Sequence, residues 1–237
     1  MKAKVDGKAV QQMFAEIAPR YDFLNHFLSV SIDRRWRKVA VSRAGASLAG
    51  KANPICLDLC SGTGDLAIEL NRGLNVPVVA SDFCHPMLIR GLEKARVAGQ
   101  DGFIPFIEAD SLVLPFGSDV FDVACVAFGL RNLESAESGL AEMKRVLKPG
   151  GMALILEFSR PVVPVFRQLF EFYFHHILPH LGALISGQST AYRYLPTSVR
   201  RFPAQRELAS MMESVGFRDV GYRNLSGGIA ALHWGTK

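Results

Sequence analysis

A doubly wound α/β domain, built on a seven-stranded, mostly parallel sheet with one reversed strand, is the fold class this sequence predicts. Three observations carry the prediction. From Ile55 onward short apolar runs alternate with amphipathic helical patterns, the first run enters a helix through a glycine turn, and two late runs are separated by only three residues.

Taken in order, Ile55–Leu59 reads as a strand, Asp65–Arg72 as a helix, Val76–Asp82 as a strand and Pro86–Val97 as a helix, which is the rhythm of parallel βαβ units. Further strands are expected over Phe103–Ala109, Val120–Phe128 and Met152–Phe158. A helix over Glu134–Val146 is stopped by Lys148-Pro149-Gly150-Gly151. The tail reads as a helix over Pro203–Gly216 and strands over Phe217–Asn224 and Gly228–Trp234. The Leu225–Gly227 connection between those strands forces an antiparallel pair, because a parallel one needs a long crossover. Ahead of the sheet, Val10, Met13, Phe14 and Ile17 recur at helical spacing, so residues 1–45 are expected to form a helical cap. Residues 160–200 interrupt the α/β rhythm as a helical insertion on the substrate side, and the whole of 1–237 is expected as one domain.

Composition narrows the function classes. With 49% apolar and 21% charged residues the chain is an ordinary folded protein. A formal charge of +5 without a Lys/Arg run gives no indication of a nucleic-acid groove. The start, Met1-Lys2-Ala3-Lys4, lacks the apolar stretch of a secretory signal, so a cytosolic protein is expected. Cys56, Cys60, Cys84 and Cys125 show no CxxC pairing and read as reduced packing residues. The apolar tract from Val162 to Ile185 contains Arg167, Glu171 and three histidines, which is poor composition for a membrane span. Its Phe166, Phe170 and Phe174 suit a lipid tail, a membrane surface, a buried helix or a subunit interface equally, so contact with the inner face of a membrane and assembly into a homo-oligomer both stay open. A metal reading of His175, His176 and His180 is disfavoured, because only one pair has helical i,i+4 spacing.

The segment Asp58-Leu59-Cys60-Ser61-Gly62-Thr63-Gly64-Asp65 joins a strand to a helix through a turn in which Gly62 and Gly64 let a ligand approach the backbone. Gly62-x-Gly64-x-x-Ala67 also satisfies the dinucleotide fingerprint, so a nicotinamide or flavin oxidoreductase is a rival reading. Asp58 discriminates: a carboxylate there repels a pyrophosphate and attracts a cation such as the ammonium and sulfonium of S-adenosylmethionine. Asp82, 18 positions after Gly64 at the end of the second strand, suits ribose hydroxyls. Asp110 is placed to accept from an adenine amino group, with Ser111 offering its backbone N–H. Asp65 reads as a charge favoured by the helix dipole.

These residues, together with Tyr21-Asp22-Phe23-Leu24-Asn25, Asp82-Phe83, Phe128-Gly129-Leu130-Arg131-Asn132, Glu157-Phe158-Ser159 and Tyr192-Arg193-Tyr194-Leu195-Pro196-Thr197-Ser198, make the chain resemble the ubiquinone/menaquinone biosynthesis C-methyltransferases over nearly its whole length. The resemblance implies a Rossmann-like class I methyltransferase that uses S-adenosylmethionine to methylate the ring of a prenylated quinol, demethylmenaquinol first and a ubiquinone precursor as the alternative. It also implies that Thr63, Asp82, Phe83, Asp110 and Ser111 contact the cofactor. Two departures stand out: Ala127 where the family carries serine, and Ser31 and Asp33 where it carries glycine and histidine.

Methylation of a ring carbon requires an electron-rich ring held in line with the methyl donor and an adjacent hydroxyl that loses its proton. Arg131 and Asn132 follow the fourth strand, on the edge where this architecture binds ligands, so Arg131 is expected to stabilise the developing phenolate, with a buried ion pair as the competing role. Tyr21 either closes over the methyl donor or packs as a core aromatic. A non-enzymatic binding subunit is the remaining rival, and the retained Asp58, Gly62, Gly64 and Asp82 argue against it.

Overall fold

The computed structural model describes residues 6–21, 32–163 and 189–237. Helix α1 (Gly7–Ile17) runs into a 3-10 turn at Ala18–Arg20, and α2 (Ile32–Leu48) leads to the sheet. There β1 (Cys56–Leu59), α3 (Asp65–Leu74), β2 (Val78–Asp82), α4 (His85–Val97), β3 (Phe106–Glu108), β4 (Phe121–Ala127), α5 (Ala136–Val146) and β5 (Leu147–Phe158) follow in turn. The chain closes with α6 (Ser189–Arg201), α7 (Gln205–Val215), β6 (Arg218–Leu225) and β7 (Ala230–Thr236). Each junction has a local cause. Asp6 caps α1 by accepting from the Lys8 and Ala9 amides, Ser135 caps α5 through the Ser138 amide, Pro86 opens α4, and Asn75 ends α3 in the left-handed conformation.

The seven strands lie in the order β3-β2-β1-β4-β5-β7-β6. β1 pairs in parallel with β2 and β4, and β4 with β5, whereas β7 is antiparallel to both β5 and β6. The connection between β6 and β7 is the short 3-10 turn Ser226–Gly228, which explains the reversal. β1 and β2 are buried at every position, because helices cover both faces. One face packs Trp36, Ala40 and Ala44 of α2 and Leu66 and Leu70 of α3 onto Cys56, Val123 and Leu154. The other packs Leu140 and Met143 of α5 and Leu208 and Met212 of α7 onto Leu57, Phe121 and Ile155. Thus α2, within the stretch expected as a cap, is a layer of the sheet, and α1 is the part that lies over the strand ends. The Trp36 indole is pinned by its Nε1 donating to Ser226 Oγ at 2.9 Å and by the Phe158 ring set edge-on to it.

The strands and helices expected over 55–158 and 203–234 all appear, with shifted limits. β3 is shorter than Phe103–Ala109, since Pro105 lacks an N–H to continue the ladder. β5 starts at Leu147, five residues early, because Leu147 pairs with Phe121 before a register shift brings Met152 opposite Val123. Cys56, Cys84 and Cys125 are buried free thiols and Cys60 is half-buried. Among the described residues no helix is long and apolar enough to cross a membrane. The tract from Phe166 to Ile185 and its histidines lie outside the described residues.

Candidate cofactor site

The carboxyl ends of β1 to β4 open onto a cavity of about 510 Å³, within the size range of small-molecule sites. Its wall is made by Cys60 and Gly62 after β1, Asp82 and Phe83 after β2, Glu108, Asp110 and Ser111 after β3, and Phe128, Gly129 and Asn132 after β4. Lys8, Gln11 and Phe14 of α1 and Tyr21 close it from above. α1 is tied to the rim by Gln11 Nε2 donating to the Phe83 carbonyl at 2.5 Å and by the Gly7 amide donating to Glu134 at 3.2 Å.

The loop after β1 is folded by close approach. Gly64 has φ +76°, and a Cβ there would meet the Phe106 ring at 2.8 Å. Gly129 has ordinary dihedrals, yet a Cβ would meet Cys60 Cβ at 2.3 Å, so the turns after β1 and β4 touch only because residue 129 has no side chain. Cys60 and Phe128, the two residues that carry the chain away from β1 and β4, both hold positive φ without being glycine.

Asp82 anchors that loop: one carboxylate oxygen accepts from the Gly62 amide at 2.8 Å and the other from the Cys84 amide at 2.8 Å. Burial raises its pKa to about 6 against the pull of these amides. The Phe83 amide pulls the same way, and the carboxylate borders the cavity. Asp58 is more extreme. It is 1% exposed, its Oδ2 accepts from the Ala67 amide at 3.0 Å, and its Oδ1 has no partner among the described residues. Burial pushes its pKa well above the ordinary value, and Asp82 adds to the shift. A buried carboxylate oxygen without a donor is costly, and a bound cation removes that cost.

Asp58 opens onto a second, smaller cavity of about 40 Å³ with Ser61, Thr63, Asp65, Arg37 and Ala127. Cys60, Tyr21 and Phe128 border both cavities, so the two adjoin. Thr63 is buried, and its hydroxyl accepts from Lys94 Nζ at 3.0 Å, which also pairs with Asp65 at 2.6 Å. Ala127 contributes a methyl group at this point and no hydroxyl. The structure therefore brings Gly62, Asp82, Phe83, Asp110, Ser111, Asn132 and Tyr21 to one cavity and Asp58, Thr63 and Ala127 to its neighbour.

Arg131 holds the buried ion pair expected as its competing role. Its guanidinium pairs with Glu157 at 2.8 Å, donates to the Phe128 carbonyl and lies 5.4 Å from the Phe158 ring centroid, and it lines neither cavity. Glu157, fully buried on β5, needs a cation: burial raises its pKa and Arg131 pulls it back down. Arg37 was not anticipated. It is buried between Asp33 at 2.8 Å, Glu69 at 2.9 Å and Asp65 at 3.6 Å, and it places a positive charge beside the Asp58 cavity. The departure at position 33 thus supplies a partner for Arg37, a pairing legible from the i,i+4 spacing. Among the described residues no group of metal-ligating side chains occurs.

The strand order with its reversed seventh strand and the cavity at the strand ends define a class I S-adenosylmethionine-dependent methyltransferase. A solved S-adenosylmethionine-dependent methyltransferase from Thermotoga maritima matches with a TM-score of 0.64 at 16% identity, covering 96% of this chain and 99% of that one. The model of the ubiE/COQ5 methyltransferase family matches residues 2–237, and the chain belongs to that family. The demethylmenaquinone methyltransferase of Deinococcus radiodurans is 47% identical over 232 residues, 98% of this chain and 93% of that protein. The ubiquinone/menaquinone biosynthesis C-methyltransferase of Geobacter sulfurreducens is 45% identical over 233 residues, 98% and 89% of the two chains.

Proposed function

We propose that this protein methylates a ring carbon of demethylmenaquinol, with S-adenosylmethionine bound across the two adjoining cavities. The single observation that carries the cofactor assignment is the unpartnered, buried Asp58 Oδ1 beside the glycine turn, which suits a cation and not a pyrophosphate. In this reading Asp58 holds the ammonium end, with Thr63 and Ala127 at its side. Asp82 accepts from the ribose hydroxyls while keeping the Gly62 and Cys84 amides, and Phe83, Asp110 and Ser111 hold the adenine. Gly62, which lines the larger cavity, gives the cofactor access to the backbone, while Gly64 leaves room for the Phe106 ring behind the turn.

S-adenosylmethionine supplies an electrophilic methyl carbon on a cationic sulfur that leaves with the bonding pair. The chain's part is to hold the quinol ring in line and to favour its ionised hydroxyl, since the phenolate pushes electron density onto the carbon that reacts. Tyr21, on the border of both cavities, closes over the methyl group, and Asn132 offers its amide to the phenolate oxygen. Arg131 acts as a positioning residue that braces the turn carrying Asn132. The apolar stretch 162–187 receives the prenyl tail and touches the inner face of the membrane, which its density of aromatic side chains supports. A ubiquinone precursor presents the same prenylated dihydroxy ring and is the second acceptor to test.

The experiment is an assay of the purified protein with reduced and oxidised demethylmenaquinone and with a ubiquinone precursor, read by mass spectrometry. One added methyl on demethylmenaquinol alone is expected. Equal turnover of the oxidised quinone overturns the phenolate mechanism, and tight binding of NAD in calorimetry overturns the cofactor.

A further inference from the structure

Asn132 sits in the 3-10 turn Leu130–Asn132 and lines the larger cavity. Its amide has two possible orientations, and its neighbours choose between them. One side faces the Phe128 carbonyl, which can only accept, so Nδ2 must lie there, at 3.4 Å. That orientation turns Oδ1 toward the hydroxyl of Tyr194, 3.1 Å away on α6. An amide oxygen can only accept, so the phenol hydrogen goes to Asn132. The donors therefore run one way: Tyr194 to Asn132 Oδ1, and Asn132 Nδ2 to Phe128. Its second Nδ2 hydrogen has no partner among the described residues.

We propose that Tyr194 is a positioning residue for the methyl acceptor, locking the Asn132 amide so that this remaining N–H is presented to the quinol oxygen that becomes the phenolate. The inference rests on the quinol reading above. It adds that α6, reached by the chain 62 residues after Asn132, sets the donor geometry at the ring. A phenol does this only as a neutral donor. Burial among Arg131, Arg201 and Glu157 raises the Tyr194 pKa, with the two arginines opposing that rise and Glu157 adding to it.

The test uses the full chain with demethylmenaquinol and compares the parent with Tyr194→Phe, Asn132→Ala and the double variant. Tyr194→Phe is expected to lower kcat about tenfold with unchanged affinity for S-adenosylhomocysteine, since the Asn132 donor is mis-aimed without the hydrogen bond that fixes its amide. In the double variant the Tyr194 change should cost nothing further, because the two residues act as a unit. Normal turnover of Tyr194→Phe, or losses that multiply in the double variant, overturns the proposal. If Tyr194→Phe loses its thermal transition, 3-fluorotyrosine at 194 is read instead. It keeps the shape and ionises more readily, so the alkaline loss of kcat should move toward neutral pH, and an unmoved limb overturns the proposal. A parent inactive on every quinol overturns the function itself and this role with it. A parent active on quinol with an unaffected Tyr194→Phe overturns this role alone.

Discussion

Asp58→Asn separates a binding charge from a structural one, because the two roles move stability and affinity in opposite directions. The substitution keeps the side chain's size and keeps an oxygen for the Ala67 amide, while it removes the charge whose second oxygen is unpartnered. Without ligand the variant should be more stable by about 1–2 kcal/mol near neutral pH, because a neutral amide escapes the cost of keeping an ionisable carboxyl buried at that pH. The sign with pH follows from the raised pKa. The folded carboxyl holds its proton where the unfolded one has lost it, so the parent loses stability as pH climbs above the unfolded value, and the variant should not. Cofactor affinity should fall instead, by about 1.5–3 kcal/mol for a hydrogen bond to a charged group, which is roughly ten- to 150-fold. Thermal unfolding without ligand reads the stability and calorimetry with S-adenosylhomocysteine reads the affinity. The parent's affinity should fall as pH is lowered, because burial favours the neutral Asp58 carboxyl that cannot pair with an ammonium, and Asp58→Asn should lack that contribution. Equal affinities of parent and variant would refute the assignment of Asp58 to the cationic end.

Replacing Asp82 by Ala should weaken S-adenosylhomocysteine binding by about 1–3 kcal/mol, read by the same calorimetry. Its carboxyl, raised from 3.8 to about 6, should make the parent lose up to about 3 kcal/mol of stability as pH rises from 4 to 6, a slope that urea titration should find flattened in Asp82→Asn. Gly129→Ala should cost about 1–3 kcal/mol in urea denaturation by forcing the β1 and β4 turns apart, although its backbone is compatible with alanine. Arg131→Met should lose about 3–5 kcal/mol by stranding the buried Glu157 carboxylate, and Glu157→Gln added to it should recover much of that loss in thermal unfolding; no recovery would refute the bracing role.

The fold was readable because its signals are local and repeated. β1, β2 and β4 are covered on both faces, so their sequences are mostly apolar, interrupted by Asp58, by Ser81 and Asp82, and by Asp122, and the reversed strand follows from one short connection. Asp58, Gly62 and Asp82 were readable for a related reason: strand ends and glycine turns fix where such residues must lie. The place of Arg131 after β4 was readable as the ligand edge, but its partner Glu157 was not, since it arrives only through the pairing of β4 with β5. Tyr194 was visible in the sequence as part of a motif, but its hydrogen bond to Asn132 spans helices that no spacing rule connects. Arg37 shows the intermediate case, since its pair with Asp33 has a helical period but its proximity to Asp65 and Glu69 depends on how α2 lies against α3.

The reversed strand also bears on the order in which the chain can assemble as it leaves the ribosome. β6 touches the sheet only through β7, the strand made after it, so β6 emerges with no edge to join. Until β7 arrives, the long edge of β5 stays bare from Met152 to Phe158, and these seven residues include Leu154, Ile155 and Leu156. An unpaired apolar edge of that length invites pairing with another nascent copy. Slow translation or early release within the last stretch would therefore favour aggregation over a soluble intermediate, and the β6–β7 hairpin is the step that ends the exposure.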